Sequence, residues 1–265
     1  MILWLLTALF IQDITWQPAR PSQGSLIVVS APRALTGQLA GEPLHFRNGK
    51  ALAAIPLGTT GGIRVRTLTV HWDGALVGDS AWVRVTRRKA PVNEQVRADD
   101  RFTAPPDRAL LARIERERAL MRAAMRRAHR VPKLWKAPFV RPRTARTTSL
   151  FGAGRQVNGV WRSRHSGLDI AGAEGAPVRA SNRGVVALVS DFYFGGISIY
   201  VHHGEGLTTA YHHLSRALVA AGDTVQRGQI IGRVGATGRV TGPHLHWGAL
   251  YGAIPFDPTD LLKLR

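Results

Sequence analysis

Histidines are concentrated towards the carboxyl terminus of the chain, in segments that are dense in glycine. Seven of the ten histidines lie between residues 165 and 246. The glycines in RSRHSGLDIAG and TGRVTGPHLHWG disfavour a helix, so these histidines are expected on strands and turns. Strand-length apolar runs recur through the same region, and no long helical period accompanies them. The pattern predicts a β-sheet that brings together histidines from separate strands.

Period-two spacing puts several of these side chains on common faces. Alternate residues of a strand point to the same side, so His244 and His246 share one face while Leu245 turns towards the core. His165 and Asp169 share a face in the same way, with a glycine between them. Clustered imidazoles are costly as packing alone, because neutral rings need hydrogen bonds and protonated rings repel one another. A metal ion bound by these side chains resolves both problems.

The remaining histidines of this region occur as two adjacent pairs. In TTAYHHLS, only His213 is expected to share the face of Tyr211, so His212 is expected to be solvated or to lie behind a metal ligand. His202 and His203 end an apolar strand and are expected to be structural or to lie at a rim. The chain contains no cysteine, which excludes zinc ribbons, iron–sulfur clusters and thiol nucleophiles. Any metal must therefore bind His, Asp or Glu.

Three separated motifs occur in a fixed order within about 80 residues. These are HxxxD, YxHLS and GPHLH, and they are flanked by FGAGRQVNG and GLDIAGAEGAPVRAS. In this order and spacing they resemble the M23 zinc metallopeptidases, the lysostaphin or LytM-type family. The resemblance covers roughly Ser149 to the carboxyl terminus. The β-rich region before it is similar in type to the amino-terminal domain of exported bacterial members.

The resemblance implies a specific site and activity. It implies one Zn²⁺ per chain, held by His165, Asp169 and His246, with His213 and His244 as catalytic residues. The implied reaction is hydrolysis of peptide cross-links in bacterial cell-wall peptidoglycan by attack of zinc-bound water on the scissile carbonyl. D-alanyl–diaminopimelate bonds are the expected target. Some members use a tyrosine before the first ligand to stabilise the transition state, and here that stretch begins at Asn158, the candidate for this role. The alternative is a non-catalytic cell-wall or partner-binding regulator that retains the fold.

Positive charge is concentrated in the middle of the chain. Of the formal net charge of +19, the 18 basic and 6 acidic residues of 87–146 contribute +12. Such a segment is drawn to polyanions, and an anionic envelope surface is the functional interpretation, beside the plainer one of a solvated helix face and tether. Specific nucleic-acid binding is not expected, because no recognised motif accompanies the charge. The sequence leaves the oligomeric state open.

The chain begins with an apolar run, MILWLLTALFI. Its 11 residues are too few for a membrane span, which needs about 20. The run resembles the apolar part of a secretory signal, which predicts export to the periplasm or cell envelope with residues 1–16 as the leader. No basic residue precedes the run, so a buried first strand or helix is the alternative.

The sequence predicts a mainly β fold divided into three parts after the leader. Residues 20–90 are expected to form a small β-sandwich, with Asn48-Gly49 as a hairpin signal. Residues 91–146 are expected to form a basic helix, capped by Asp107 and running to about Arg130, and then a proline-rich linker. The helix is expected to have one apolar stripe: Leu110, Leu111, Ile114, Met121 and Met125. Residues 147–265 are expected to form an antiparallel β-sheet peptidase domain, at least as active alone as in the full chain.

Overall fold

A computed structural model describes residues 14–70, 74–89, 94–97, 99–102 and 104–264. The helices are α1 (Arg108–Ala128) and two 3-10 helices, Asp100–Phe102 and Pro258–Lys263. The strands are β1 (Thr15–Gln17), β2 (Leu26–Ser30), β3 (Ala34–Leu39), β4 (Glu42–Leu44), β5 (Lys50–Ala54), β6 (Gly62–Val70), β7 (Leu76–Arg84), β8 (Glu94–Val96), β9 (Thr147–Ser149), β10 (Gly154–Val157), β11 (Val160–Arg164), β12 (Gly167–Ala171), β13 (Pro177–Arg179), β14 (Gly184–Phe192), β15 (Gly196–Gly204), β16 (Leu207–Ala217), β17 (Thr224–Val225), β18 (Ile230–Val234), β19 (His244–Tyr251) and β20 (Ile254–Phe256).

The amino-terminal part contains two small antiparallel sheets, as expected for a β-sandwich. One has the order β1-β2-β5 and the other the order β4-β3-β6-β7. Alternating apolar residues from both sheets, such as Val29 and Val65, are fully buried in one core. The turn at Asn48-Gly49 has left-handed backbone at both residues, which asparagine and glycine tolerate best. The predicted leader lies outside the described residues apart from its last three, of which Thr15 and Trp16 belong to β1.

Helix α1 is the predicted basic helix. Asp107 caps it, because its side chain accepts a hydrogen bond from the Leu110 amide at 2.7 Å. The predicted apolar stripe is correct only in part: Met125 is buried, whereas Leu111 is 53% exposed. The second half of the helix packs on the sheet through alanines and methionines. The first half contacts the carboxyl-terminal domain through Glu117. No helix in the described part of the chain is long and apolar enough to cross a membrane.

The proline-rich segment at 131–146 is not the free linker that the sequence predicts. Trp135 and Phe139 are buried, and their rings meet edge to face with centroids 5.4 Å apart. Backbone amides bind the segment to the carboxyl-terminal domain, from Leu134 to the His203 carbonyl and from Val140 to the Ser181 carbonyl. The aromatic residues between the prolines supply the buried area that holds this segment in place. We call residues 131–146 the strap.

The carboxyl-terminal domain is built on a ten-stranded sheet. Its main path has the order β17-β14-β15-β16-β19-β12-β9, and the pairs along it are antiparallel. β19 lies in the centre between β12 and β16, so it can present its side chains to both neighbours. Its register places Asp169 of β12 and His212 of β16 opposite His246. On the other face Leu245 and Trp247 are fully buried, which fixes which residues face the core.

The two domains contact each other closely. Arg88 forms an ion pair of 2.9 Å with Asp257, and the Tyr251 hydroxyl donates a hydrogen bond of 2.7 Å to the Pro43 carbonyl. The segment that follows the amino-terminal domain also adds a strand to the second domain, because β8 pairs in parallel with β10. These contacts bring Glu94 beside the histidine-rich part of the sheet.

Candidate metal centre and active site

Three side chains predicted as metal ligands converge at one point. His165 Nε2 lies 2.9 Å from His246 Nδ1 and 3.0 Å from Asp169 Oδ1, and the latter two atoms are 2.9 Å apart. All three residues are buried. Tetrahedral Zn²⁺ with bonds of about 2.0–2.1 Å separates its ligand atoms by roughly 3.3 Å, so this triangle needs to open only slightly. Two imidazoles and one carboxylate are the donor set of catalytic zinc sites, and the residues therefore fit the metal.

His165 is held from its backbone and from the far side of its ring. Its amide and carbonyl bond to Ala153 and Gly152 at 2.7 and 2.8 Å. Its Nδ1 lies 3.0 Å from the Leu150 carbonyl and 2.9 Å from Ser149 Oγ. A carbonyl only accepts, so Nδ1 carries the proton and Nε2 offers its lone pair to the cluster. This arrangement is typical of histidines that bind metals in proteins.

Asp169 is held by groups on both of its oxygens. Burial raises the pKa of its carboxyl group, but the contacts with the rings of His165 and His246 outweigh burial and hold that pKa well below its usual range. Its second oxygen, Oδ2, accepts a hydrogen bond from Arg155, whose guanidinium also donates to Ser149 Oγ at 3.1 Å. Oδ1 is thereby left facing the two histidines. Arg155 in turn lies 3.4 Å from the Glu94 carboxylate.

The two predicted catalytic histidines lie beside the triangle, and a backbone carbonyl holds the Nδ1 of each ring. Nδ1 of His213 donates to the Thr237 carbonyl and Nδ1 of His244 to the Gly242 carbonyl, both at 2.9 Å. Their rings are 5.0 Å apart, and His244 Nε2 lies 3.7 Å from Asp169 Oδ2. Burial, followed by the neighbouring histidines, lowers the pKa of His213 well below its ordinary value. Because each Nδ1 donates to a carbonyl, the neutral form of each ring has its lone pair on Nε2.

His212 lies opposite His246 in the register of β16 and β19, so its strand position places its ring beside the cluster. The left-handed φ of 62° at His213 breaks the alternation of β16 and allows His213 to approach the same site, instead of sharing the core face of Tyr211 as expected. The ring of His212 lies 5.2 Å from that of His246, and its Nδ1 lies 2.7 Å from Ser198 Oγ. Burial lowers its pKa to about 3. Of the two outcomes expected for His212, the structure matches a position behind a metal ligand.

Asn158 does not lie in the cluster. Asn158 and Gly159 both have left-handed backbone and form the turn between β10 and β11. Asn158 is exposed, and its amide donates to Asp100 at 3.2 Å. It lines neither of the two cavities beside the triangle. Turn geometry explains this asparagine, and the expected role in the transition state finds no support in its position.

The profile of peptidase family M23 matches residues 163–258, which include all five histidines and the aspartate of the site. The chain contains a region that matches peptidase family M23. Its M23 domain is 44% identical over 94 residues to the peptidoglycan DD-endopeptidase ShyC of Vibrio cholerae, a match covering 36% of this chain and 22% of ShyC. It is 42% identical over 101 residues to the DD-carboxypeptidase/endopeptidase Mpg of Neisseria meningitidis, a match covering 38% of this chain and 23% of Mpg. The chain thus spans less than a quarter of the length of these curated relatives.

The architecture as a whole is also found among solved structures of the M23 family. A Pseudomonas aeruginosa protein assigned to this family superimposes with a TM-score of 0.69 at 29% identity. The match covers 91% of this chain and 94% of that one. The likeness therefore extends beyond the M23 domain into the amino-terminal part of the chain.

Several residues around the M23 site were not predicted from the sequence. Arg155 and Ser149 contact the predicted ligands from outside the triangle. Glu94 of β8 contacts Arg155 and Ser149 in turn. Arg155 lies within FGAGRQVNG, one of the flanking motifs, which is a weak signal for it. No spacing rule connects Glu94 to the site, because its contacts with Ser149 and Arg155 depend on how β8 pairs with β10.

Proposed function

We propose that the protein is a zinc-dependent endopeptidase that hydrolyses peptide cross-links of bacterial peptidoglycan. The observation that carries the proposal is the triangle of His165, Asp169 and His246 with two further histidines beside it. The match of residues 163–258 to peptidase family M23 supports it, and so do relatives named as peptidoglycan endopeptidases. The non-catalytic alternative is not favoured, because every side chain that the chemistry needs is present.

The side chains of the site have separate roles in the proposed reaction. Bound Zn²⁺ would be held by His165, Asp169 and His246, and would polarise the scissile carbonyl and lower the pKa of a bound water to about 7. His213 and His244 can accept a proton at Nε2 and return one to the departing amine. Once protonated, the same Nε2 atoms can donate to the developing oxyanion. The carbonyls of Thr237 and Gly242 keep both rings aimed at the site throughout.

We further propose D-alanyl–diaminopimelate cross-links as the substrate, and the periplasm or cell envelope as the location. The names of two matched relatives, a peptidoglycan DD-endopeptidase and a DD-carboxypeptidase/endopeptidase, support this bond class. Cross-links are extended peptides, and the cavities on either side of the triangle can admit one. One Zn²⁺ per chain is expected from the single triangle found among the described residues.

A second part of the proposal concerns the basic segment at 87–146. Arg108, Arg116 and Arg126 on α1 are exposed and form no ion pair with the acidic residues that the structure describes. We propose that this face keeps the enzyme near an anionic envelope surface. Co-sedimentation with purified sacculi at rising salt tests this, because the binding should weaken as salt screens the charges. Binding that is insensitive to salt would contradict it.

Digestion of purified peptidoglycan tests the proposed activity. Sacculi of known cross-link chemistry are incubated with the zinc-loaded protein, with and without a chelator, and the released fragments are identified by mass spectrometry. Dimeric muropeptides should decrease and tetrapeptide monomers should increase, only without the chelator. Sacculi that are bound but left intact would instead support the non-catalytic alternative.

A further inference from the structure

The larger cavity beside the metal cluster is lined by an excess of positive charge. This cavity, of about 530 Å³, is bordered by Asp169 and His244 on the side of the cluster. Three arginines also line it, Arg146, Arg155 and Arg239, and among the described residues Glu94 is the one acidic side chain added to Asp169. Three guanidinium groups facing two carboxylates favour an anionic ligand, and a bound divalent metal would increase this preference.

The carboxylate of Glu94 already occupies part of the wall of this cavity. The Glu94 carboxylate accepts a hydrogen bond from Ser149 Oγ at 2.8 Å and lies 3.4 Å from Arg155 Nε. Glu94 belongs to β8, which is an extended segment paired along β10. The wall of the cavity therefore holds an extended peptide by its backbone and binds a carboxylate on that peptide through Arg155.

The two other arginines can serve a second carboxylate. Arg146 is exposed and forms no ion pair with the acidic residues that the structure describes. Its backbone is fixed by a hydrogen bond of 2.9 Å from the Ala171 amide to the Arg146 carbonyl. Arg239 is anchored by its backbone amide on the Phe194 carbonyl at 2.9 Å, and its guanidinium lies over the Phe194 ring, 4.9 Å from the centroid. Both side chains thus approach the cavity from fixed backbone positions.

We infer that this cavity binds a free carboxylate on the substrate residue that supplies the scissile nitrogen, with Arg146 as its main partner. The inference rests on the proposed function and makes it more specific. In a D-alanyl–diaminopimelate bond the carbon attached to the scissile nitrogen carries such a carboxylate. A glycyl bridge lacks it, and an amidated diaminopimelate carries a neutral carboxamide there. The cavity therefore selects acidic cross-links over neutral ones.

Paired substrates measure this selection directly. We compare kcat/KM for a purified diaminopimelate dimer with kcat/KM for the same dimer amidated at that carboxyl group. Charge-assisted hydrogen bonds to arginine are the strong ones, so the wild type should prefer the acid at least about tenfold, mainly through KM. Arg146→Gln should reduce this ratio at least about fivefold. Glu94→Gln should raise it, because Arg155 no longer has a carboxylate of the protein as a competitor.

Matched controls separate this inference from a general effect of charge. Arg227→Gln makes the same charge change on an exposed arginine that does not line the cavity, and it should leave the ratio unchanged. Zinc content is measured for every variant. An unchanged ratio in Arg146→Gln, or an equal loss in Arg227→Gln, would overturn the inference. If neither dimer is cleaved, the proposed function fails, and calorimetric binding of the acid and amide dimers to the same variants still tests the cavity.

Discussion

Gly167 leaves the space that the ring of His246 occupies. A Cβ at this position would lie 2.5 Å from His246 Nε2 and 2.6 Å from the Trp247 carbonyl, far inside normal contact. We predict that Gly167→Ala displaces the imidazole and weakens zinc binding at least about tenfold, as measured by competition with a chromogenic chelator. Gly78→Ala is the control, because no atom lies within 4 Å of its added Cβ. Equal zinc affinity in the two variants would show that Gly167 has no such role.

Arg155 is predicted to position Asp169 rather than to react. It binds Asp169 Oδ2 and Ser149 Oγ, and its side chain is only 17% exposed. Removing such an outer contact typically costs 10–100-fold in metal affinity, and we expect that loss in Arg155→Gln. Zinc affinity is again the readout, with Arg227→Gln as the charge control. Unaltered affinity would mean that the contact does not orient the carboxylate.

His203 should make stability depend on pH. It is fully buried, its Nδ1 donates to the Arg183 carbonyl, and burial lowers its pKa to about 4. The unfolded chain takes up a proton below about pH 6.5 while the folded chain does not, so stability falls as the pH drops from about 6.5 to 4. Between pH 7 and pH 5 this residue should cost about 2 kcal/mol. Urea unfolding in a chelator should show a correspondingly smaller loss for His203→Gln, and equal losses would refute the assignment.

At the level of single residues, period-two spacing was sufficient for some positions and not for others. It places His244 and His246 on one face and Leu245 in the core, as the structure has them. It fails at His213, because the left-handed backbone of this residue interrupts the alternation that would turn its ring to the core face of Tyr211. A single local dihedral of this kind leaves no trace in a hydrophobic pattern.

Helix α1 contacts the M23 domain through the charged side chain of Glu117. Both carboxylate oxygens of Glu117 accept from the Tyr193 amide, at 3.1 and 3.0 Å, and Arg113 pairs with it at 2.7 Å. We predict that Glu117→Ala lowers the free energy of unfolding by about 1–2 kcal/mol, measured by urea denaturation. Glu115→Ala is the matched control on the exposed side of the helix and should have no measurable effect. Equal effects of the two substitutions would contradict this docking.

Element boundaries were predicted well where local chemistry sets them. The Asp107 cap and the turn at Asn48-Gly49 agree with the structure. The strap was misassigned as a free linker, because its prolines suggest extension while the burial of Trp135 and Phe139 depends on tertiary packing. Composition alone does not distinguish a tether from a bound segment.

In the whole molecule, the amino-terminal region borders the cavity through β8 and Glu94. We predict that a fragment of residues 104–265, which keeps α1 and the strap but lacks β8, is at least as active per bound zinc as the full chain. The fragment 147–265 should be less stable than 104–265, because Trp135 and Phe139 leave their buried positions. Turnover of a purified dimeric muropeptide and thermal unfolding test both statements. A folded, zinc-bound 104–265 with markedly lower activity would contradict the first.

The arrangement of the domains could not be predicted from the sequence. Most of the +19 charge lies in residues 87–146, but nothing in the sequence pattern places β8 against β10. That pairing joins residues about 60 positions apart in a parallel register. Such contacts depend on the assembled surfaces of both domains and not on any local signal.

The central claim is that His165, Asp169 and His246 hold the zinc on which hydrolysis of cross-links depends. The most direct measurement follows cleavage of one purified diaminopimelate dimer while Zn²⁺ is titrated into the metal-free full chain. The account predicts activity that rises in proportion to bound zinc and saturates at one ion per chain, with neither tight binding nor cleavage in His246→Ala. Cleavage that persists without zinc, or that His246→Ala retains, would contradict it.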